Sequence, residues 1–155
     1  MIEVELIKKV KANLTNKQIE KIVKVVASEC KLKTTYRVSL VMVGQSKIRK
    51  LNLQYRNLDK VTDVLSFRSL DKDFVSPIKD NYLGESIICY GQVLRQAKAD
   101  KVQATQELTL VIVHSLLHLL GYDHERSGFK EAKKMDKFQR KIMAKLGFDV
   151  DLMYN

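Results

Sequence analysis

All three histidines of this 155-residue chain lie within eleven consecutive positions, 114 to 124. A helix over this segment places His114 and His118 on one face, about one turn from each other. Gly121 can adopt the left-handed conformation that ends a helix, so that His124 turns back toward the other two. Three histidines without a fourth protein ligand are typical of a catalytic zinc site, in which water takes the open position. The spacing therefore predicts a zinc site with ligands His114, His118 and His124 and a metal-activated water.

The segment that carries the first two histidines is apolar nearly all round. From Leu108 to Leu120 its other polar side chains are Thr109 and Ser115, which indicates a largely buried helix. This stretch of thirteen residues is too short to span a bilayer, which takes about 20 residues. Two buried imidazoles on one helix face are hard to satisfy without a ligand, and this favours a metal site over two packed core histidines.

The same histidine spacing occurs in the metzincin proteases, where a glutamate beside the first histidine is the general base. Ser115 stands at that position here. A serine does not take a proton from zinc-bound water near neutral pH, so a peptide is not the expected substrate. Hydrolysis of a peptide or of another substrate stays an alternative, and it would require a glutamate near the water.

Composition and charge describe the setting of this site. With 45% hydrophobic and 30% charged residues, the chain is expected to form one domain with a sizeable core. Cys30 and Cys89 are far apart in the sequence, which indicates reduced, buried thiols. The N-terminus has no secretory signal, so we expect a cytoplasmic protein without a membrane partner. The net charge of +10 favours a polyanionic partner, and together with a metal site it points to nucleic acid.

The pattern of apolar residues predicts an α/β (α+β) single domain, residues 1–155, with a small mixed sheet of about four strands packed with about five helices. The predicted strands are Ile2–Ile7, Tyr36–Val43, Val64–Phe67 and Leu83–Tyr90. The first two predicted helices are one with a Thr15-Asn-Lys-Gln18 capping box that runs to Glu29 and one capped by Ser46 that runs to about Asn57. They are followed by Gln92–Ala99, by the histidine helix starting at Asp100 or Thr105, and by Phe129–Leu146. Ser69–Asn81 is expected to be a loop.

The last of these helices has two different faces. One is apolar, formed by Phe129, Ala132, Met135, Phe138, Ile142 and Leu146, and the other is a lysine stripe formed by Lys130, Lys134, Lys137, Lys141 and Lys145. The stripe is either a solvated surface or a set of phosphate contacts, and the pattern alone leaves both possibilities open.

Five motifs follow one another along the chain. They are Leu51-Asn-Leu-Gln-Tyr-Arg56, Asp59, Thr62-Asp63-Val-Leu-Ser66-Phe67, Leu83-Gly84-Glu85 and the segment from His114 to His124. In this order they resemble the YbeY family of bacterial endoribonucleases. The resemblance implies a zinc-dependent, single-strand-preferring endoribonuclease that acts in ribosomal RNA maturation, notably at the 3′ end of the small-subunit RNA, and in ribosome quality control. Its implied partners are ribosomal RNA and the small ribosomal subunit.

The family's functional residues match particular positions of this chain. Its metal ligands correspond to His114, His118 and His124, and its functional arginine corresponds to Arg56. The chain departs from the family pattern at three positions, with Ser115 for glycine, Val61 for proline and Glu85 for aspartate. None of these changes removes a metal ligand, but the longer side chain of Glu85 leaves any positioning role of that residue open.

The chemistry of arginine agrees with a catalytic assignment of Arg56. A guanidinium binds two phosphate oxygens in a fork and can neutralise the charge that develops as water, activated by zinc, attacks phosphorus. The alternative is a surface arginine at a helix end. Asp63 and Ser66 either line the rim of the pocket or form hydrogen bonds at a strand end.

Three questions of mechanism stay open at this point. No general base is identifiable, because Asp123 and Glu125 beside the third histidine can equally orient an imidazole. The nucleophile is either water or the 2′-hydroxyl of the substrate. A non-enzymatic ribosome-assembly factor with a structural zinc is a further alternative.

Overall fold

The computed structural model describes residues 1–69, 81–122 and 129–153, without the side chains of 129–132 and 152–153. The strands of this part are β1 (Ile2–Lys8), β2 (Tyr36–Val43), β3 (Val64–Arg68) and β4 (Tyr82–Cys89). They form one four-stranded sheet in the order β1-β2-β4-β3, in which β1, β2 and β4 are parallel and β3 is antiparallel to β4. The predicted mixed sheet is therefore confirmed, and β3 is one of its two edge strands.

The helices also agree with the prediction in number. They are α1 (Asn16–Glu29), α2 (Gln45–Arg56), α3 (Tyr90–Ala99), α4 (Ala104–Leu119) and α5 (Phe129–Lys145), with a single final turn, α6 (Val150–Met153). The predicted capping box of α1 is present, since the Thr15 side chain accepts from the Gln18 backbone and Gln18 reaches back to Thr15. The predicted α/β single domain is thus confirmed.

Three helix boundaries differ from those predicted. Ser46 does not cap α2, because Gly44 in extended conformation is the N-cap and the helix already begins at Gln45. Tyr90 was assigned to β4 but is the first residue of α3. Asp100 ends α3 instead of starting α4, because Lys101 has a positive φ of 56° that breaks the helix, and α4 begins at Ala104, one residue before Thr105.

The alternation of side chains along the strands gives the sheet two different faces. On the face that we call the α4 face, Val38, Leu40, Met42 and Ile88 pack in the main core with residues of α1, α4 and α5. On the opposite face, which we call the α2 face, a smaller cluster of Val43, Leu65, Ile87 and Cys89 packs against Ile48 of α2. The predicted apolar side of α5 is confirmed for Met135, Ile142 and Leu146, which are buried.

The helix α4 lies in the core, as predicted for the histidine-bearing segment. Ile112, Val113, Leu116 and Leu117 have no exposed surface, and burial of each such side chain contributes about 1.5–3 kcal/mol. Among the described helices, none combines the length and apolar character needed to cross a membrane. Cys30 and Cys89 are both free thiols, as predicted, but only Cys89 is buried and Cys30 is half-buried. Of the predicted loop Ser69–Asn81, residues 70–80 lie outside the described residues.

Candidate functional site

Two histidines are the points at which the C-terminal half of the helix α4 reaches solvent. Between Val111 and Leu119 every residue is buried except His114 and His118, which are both half-buried. They are four residues apart and therefore lie on the same face of the helix. The structure thus confirms that the two imidazoles share one face, and this face opens outward from a core helix.

The orientation of the first imidazole is fixed from a neighbouring helix. Nδ1 of His114 lies 3.0 Å from Oε1 of Gln139 on α5. A carboxamide oxygen only accepts hydrogen bonds, so Nδ1 carries the proton and donates it to Gln139. The lone pair of the ring is then on Nε2, which is the atom that a neutral histidine offers to a metal ion.

The end of α4 follows the predicted glycine signal. Gly121 has a φ of +102°, its N–H donates to the carbonyl of His118 and the N–H of Tyr122 donates to the carbonyl of Leu117. This pair of bonds is a Schellman motif, which closes the helix just after the second histidine. The third predicted ligand, His124, and its neighbours Asp123 and Glu125 lie outside the described residues.

The described donors are compatible with a zinc-type ion. Two imidazoles on one helix face, one of them with its second nitrogen bonded to an oxygen acceptor, are a ligand arrangement typical of zinc proteins. Within residues 1–69, 81–122 and 129–153 no group of three metal-binding side chains occurs. Because His124 is outside these ranges, the three-ligand site stays a prediction.

Ser115 has no chemical role at this face. It is fully buried, and its hydroxyl donates to the carbonyl of Ile112 at 2.9 Å within α4. Its side chain therefore points into the core while those of His114 and His118 reach the surface. The position occupied by a base in metzincins holds no group that could accept a proton from water.

Arg56 lies at the outer edge of β3, on the other side of that strand from α4. Its Nη2 donates to the carbonyl of Ser66 at 3.3 Å, and its guanidinium lies over the ring of Phe67 at 5.4 Å from the ring centre. Phe67 belongs to the cluster on the α2 face. Arg56 therefore approaches β3 from the α2 face, whereas His114 and His118 belong to α4, which packs on the opposite face of the sheet.

Asp63 of the Thr62–Phe67 motif forms a hydrogen bond that stabilises the fold. Nε2 of Gln96 donates to Oδ2 of Asp63 at 3.2 Å and to Oε1 of Glu107 at 3.0 Å, which ties the start of β3 to α3 and α4. Burial raises the pKa of Glu107 and also that of Glu85, which is paired with Phe67 across the sheet. Asp63 thus forms the strand-end hydrogen bonds that were one of its two predicted alternatives.

The lysine stripe of α5 is only partly a solvated surface. Lys141 and Lys145 both form ion pairs with the buried carboxylate of Glu29 at the end of α1. Nζ of Lys134 lies 5.7 Å from the ring centre of Tyr122. Lys137 is exposed, and the side chain of Lys130 lies outside the described residues. At least two of the five lysines therefore stabilise helix packing.

Two residues near the site were missed by the sequence reasoning. Gln139 carries a weak signal, since it is a polar residue next to Phe138 on the buried side of α5. Arg68 follows the predicted end of β3, but the strand includes it, and alternation puts it on the α4 face with Ser66. Its position among the inward-facing residues of a strand is the signal that could have found it.

The fold and this site define a class of protein, a single α/β domain with a histidine pair on a core helix beside a basic strand edge. A family model described as Endoribonuclease YbeY matches residues 2–147. The chain therefore belongs to the endoribonuclease YbeY family, as the sequence motifs predicted.

Individual relatives agree with this family. A protein named Endoribonuclease YbeY from Limosilactobacillus reuteri is 36% identical over 155 residues, covering 92% of this chain and 96% of that protein. One of the same name from Finegoldia magna is 51% identical over 89 residues, and this alignment spans 56% of its length. The solution structure of a protein from Thermotoga maritima has a TM-score of 0.60 and 26% identity, with 94% of this chain and 91% of that chain covered.

Proposed function

We propose that this protein is a metal-dependent endoribonuclease that cleaves single-stranded regions of ribosomal RNA. The observation that carries the proposal is the pair of half-buried imidazoles on α4, the first of them oriented by Gln139. Membership of the endoribonuclease YbeY family supports the reaction. We further propose maturation of the 3′ end of the small-subunit RNA and ribosome quality control as its tasks, with the small ribosomal subunit as partner and the cytoplasm as location.

The metal ligands in this proposal are His114, His118 and His124. A zinc ion held there would supply a Lewis acid that polarises a phosphoryl oxygen and lowers the pKa of water. Gln139 keeps the His114 ring in the tautomer that presents Nε2. Ser115 contributes no proton transfer, because its hydroxyl is buried and bonded to Ile112.

Arg56 binds a phosphate of the substrate in this proposal. The guanidinium is exposed, rests on Phe67 and uses one of its N–H groups for the carbonyl of Ser66. The stack on an aromatic ring holds the fork in place at low entropic cost. Arg56 thereby grips the RNA strand at the outer edge of β3, and this grip positions the scissile phosphate at the metal site.

The surroundings of Arg56 favour an unpaired strand as substrate. Tyr55 is 44% exposed and packs edge-on against Phe67, with 5.1 Å between the ring centres. The apolar side chains of Leu53 and Leu58 are exposed nearby, 49% and 46% respectively. An exposed aromatic ring beside an arginine is the arrangement on which unpaired bases stack, whereas the bases of a duplex are already stacked on each other.

The test is incubation of the purified protein with matched single-stranded and duplex RNA, with and without a chelator. We expect cleavage of the single strand, little cleavage of the duplex, and loss of activity on chelation that added zinc restores. His118→Ala should lose zinc and activity while the circular dichroism spectrum stays native. Full activity without metal would contradict the proposal, and unfolding of both His114→Ala and His118→Ala would indicate a structural zinc in an assembly factor.

Cleavage of a substrate with a 2′-deoxy nucleotide at the scissile position identifies the nucleophile. Cleavage that persists excludes the 2′-hydroxyl route and leaves water as nucleophile. Loss of cleavage at that bond alone, with cleavage elsewhere unchanged, assigns the attack to the 2′-hydroxyl.

A further inference from the structure

Arg68 lies beside the end of the histidine-bearing helix. It is the last residue of β3, and its side chain is on the α4 face. A Cβ atom built on Gly121 would be 3.7 Å from Nη2 of Arg68. Since Gly121 is the third residue after His118, the guanidinium lies close to the C-terminal end of α4.

The local backbone brings the strand carrying Arg68 close to its neighbour. Gly84 on β4 is the cross-strand partner of Arg68 and has a φ of +134°. A Cβ at Gly84 would lie 2.0 Å from the carbonyl oxygen of Phe67, so only glycine fits there. The glycine therefore keeps the end of β3 paired to β4 and fixes the point from which Arg68 extends.

Among the described residues, the guanidinium of Arg68 has no partners of the kind that Arg49 and Arg95 have. Its Nε is buried and has no hydrogen-bond partner within residues 1–69, 81–122 and 129–153, and no carboxylate in these ranges forms an ion pair with it. Arg49, in contrast, is bidentate to Asp59, and Arg95 donates twice to Gln92. Burying a donor of a charged group without an acceptor costs free energy, so an acceptor supplied by a ligand accounts for the arrangement.

The helix end explains why the cation stays in this position. The carbonyl end of a helix carries partial negative charge, which favours a cation nearby without occupying its N–H groups in defined bonds. The planar fork of the guanidinium then matches two oxygens of a phosphodiester. Arg56 and Arg68 stand on the two sides of the same edge strand, Arg56 on the α2 face and Arg68 on the α4 face.

We propose that Arg68 is a substrate-positioning residue that binds a backbone phosphate of RNA beside His118, while Arg56 binds the same strand across the outer edge of β3. This assignment rests on the proposed endoribonuclease function and adds a second phosphate contact to it. The RNA strand accordingly crosses the edge of β3, so that one arginine contacts it on each side.

The experiment compares Arg68→Met and Arg68→Lys with wild type and with Lys17→Met. Lys17 is an exposed residue of α1, which packs on β1 at the other edge of the sheet, so its variant removes the same charge away from β3. The probe is a labelled single-stranded 2′-O-methyl RNA, checked on a gel for integrity and titrated into the zinc-loaded protein at several salt concentrations. Thermal unfolding of every variant is measured in parallel.

We expect Arg68→Met to weaken RNA binding about tenfold or more and to reduce the slope of log Kd against log salt by about 0.7, the contribution of one phosphate on a single strand. Its Tm should equal or exceed that of wild type, because a buried Nε donor without a hydrogen-bond partner among the described residues has been removed. Arg68→Lys should keep the salt slope but recover only part of the affinity. Lys17→Met should leave affinity within about twofold.

Other outcomes overturn the assignment. Unchanged affinity and slope in Arg68→Met would remove Arg68 from the RNA site, and a lowered Tm with unchanged affinity would make it a structural cation of α4. If inorganic phosphate raises the Tm of wild type but not of Arg68→Met while RNA affinities stay equal, the site takes free phosphate and not RNA. Absence of RNA binding by wild type would instead contradict the proposed function.

Discussion

Nδ1 of His114 on α4 and Oε1 of Gln139 on α5 are 3.0 Å apart, and this bond joins the candidate metal site to the packing of two helices. A ligand ring that is free to rotate has to be ordered when the metal binds, whereas a ring already bonded at Nδ1 presents Nε2 in one direction. We therefore expect the packing of α5 on α4 to influence metal affinity at a distance from the metal itself.

The role of Gln139 can be measured directly. Gln139→Leu should lower zinc affinity about 10- to 100-fold, because the ring of His114 loses its orienting acceptor. Gln139→Glu keeps an acceptor and should retain most of the affinity. Zinc is titrated against a competing chelator, with Gln106→Leu on α4, the helix of His114, as the control, since Nε2 of Gln106 has no hydrogen-bond partner among the described residues. Equal zinc affinity in Gln139→Leu and wild type would remove Gln139 from the site.

Arg56 should act on the phosphate and not on the metal. Arg56→Ala is expected to keep its zinc and to lose about 2–4 kcal/mol of transition-state stabilisation, a decrease of about 30- to 1000-fold in single-turnover rate. Arg56→Lys should restore little of the lost rate, because lysine has the charge but cannot form two parallel hydrogen bonds to phosphate as a guanidinium does. Arg49→Ala is the control on the same helix, since Arg49 is already bound to Asp59. Lost affinity with an unchanged single-turnover rate would make Arg56 a substrate grip only.

Tyr55 should contribute to the preference for unpaired RNA. Tyr55→Ala is expected to weaken binding of a single-stranded oligonucleotide by about 1–3 kcal/mol, the value of one stacked base, and to leave duplex binding unchanged. Tyr55→Phe keeps the ring and should bind as wild type does. Leu94→Ala removes another exposed apolar side chain, from α3, and controls for general surface changes. Equal weakening for single strand and duplex would exclude a stacking role.

The features that the sequence predicts well are those encoded by neighbouring residues. The histidine spacing, the apolar run of α4 and the glycine after it predict a buried helix that ends just before Gly121, and the structure has this helix with Gly121 at a positive φ. The capping box of α1 and the β-branched run of β2 are equally local, and Tyr36–Val43 agrees with its predicted bounds. Local periodicity decides such elements because each residue's face follows from its distance along the chain.

The features that the sequence does not reveal depend on partners far along the chain. Gln139 is 25 residues from His114 and Lys145 is 116 residues from Glu29, so neither contact has a local pattern. The role proposed for Arg68 depends on its proximity to Gly121, and this proximity is created by tertiary packing. Ser46 failed as a cap for a different reason, because Gly44 adopts the N-cap conformation and starts the helix earlier.

The buried carboxylate of Glu29 is a place where pH should change stability. Its side chain is only 5% exposed and forms ion pairs with Lys145 and Lys141, the latter at 2.9 Å, which join the end of α1 to α5. The hydrogen bonds from Lys145, and then those from Lys141, lower the pKa of Glu29 from its ordinary value of about 4.5, although burial acts in the opposite direction.

A group whose pKa is lower in the folded state adds stability above its unfolded pKa and loses it as pH falls through the folded pKa. Glu29→Gln should therefore lower the free energy of unfolding by roughly 1–2 kcal/mol near pH 7. The difference in free energy of unfolding between variant and wild type should stay constant down to about pH 5 and become smaller at lower pH. Urea unfolding at several pH values measures it, with Glu20→Gln as the control on the exposed side of α1. A gap that does not change with pH would mean that the side chain acts through packing and not through its charge.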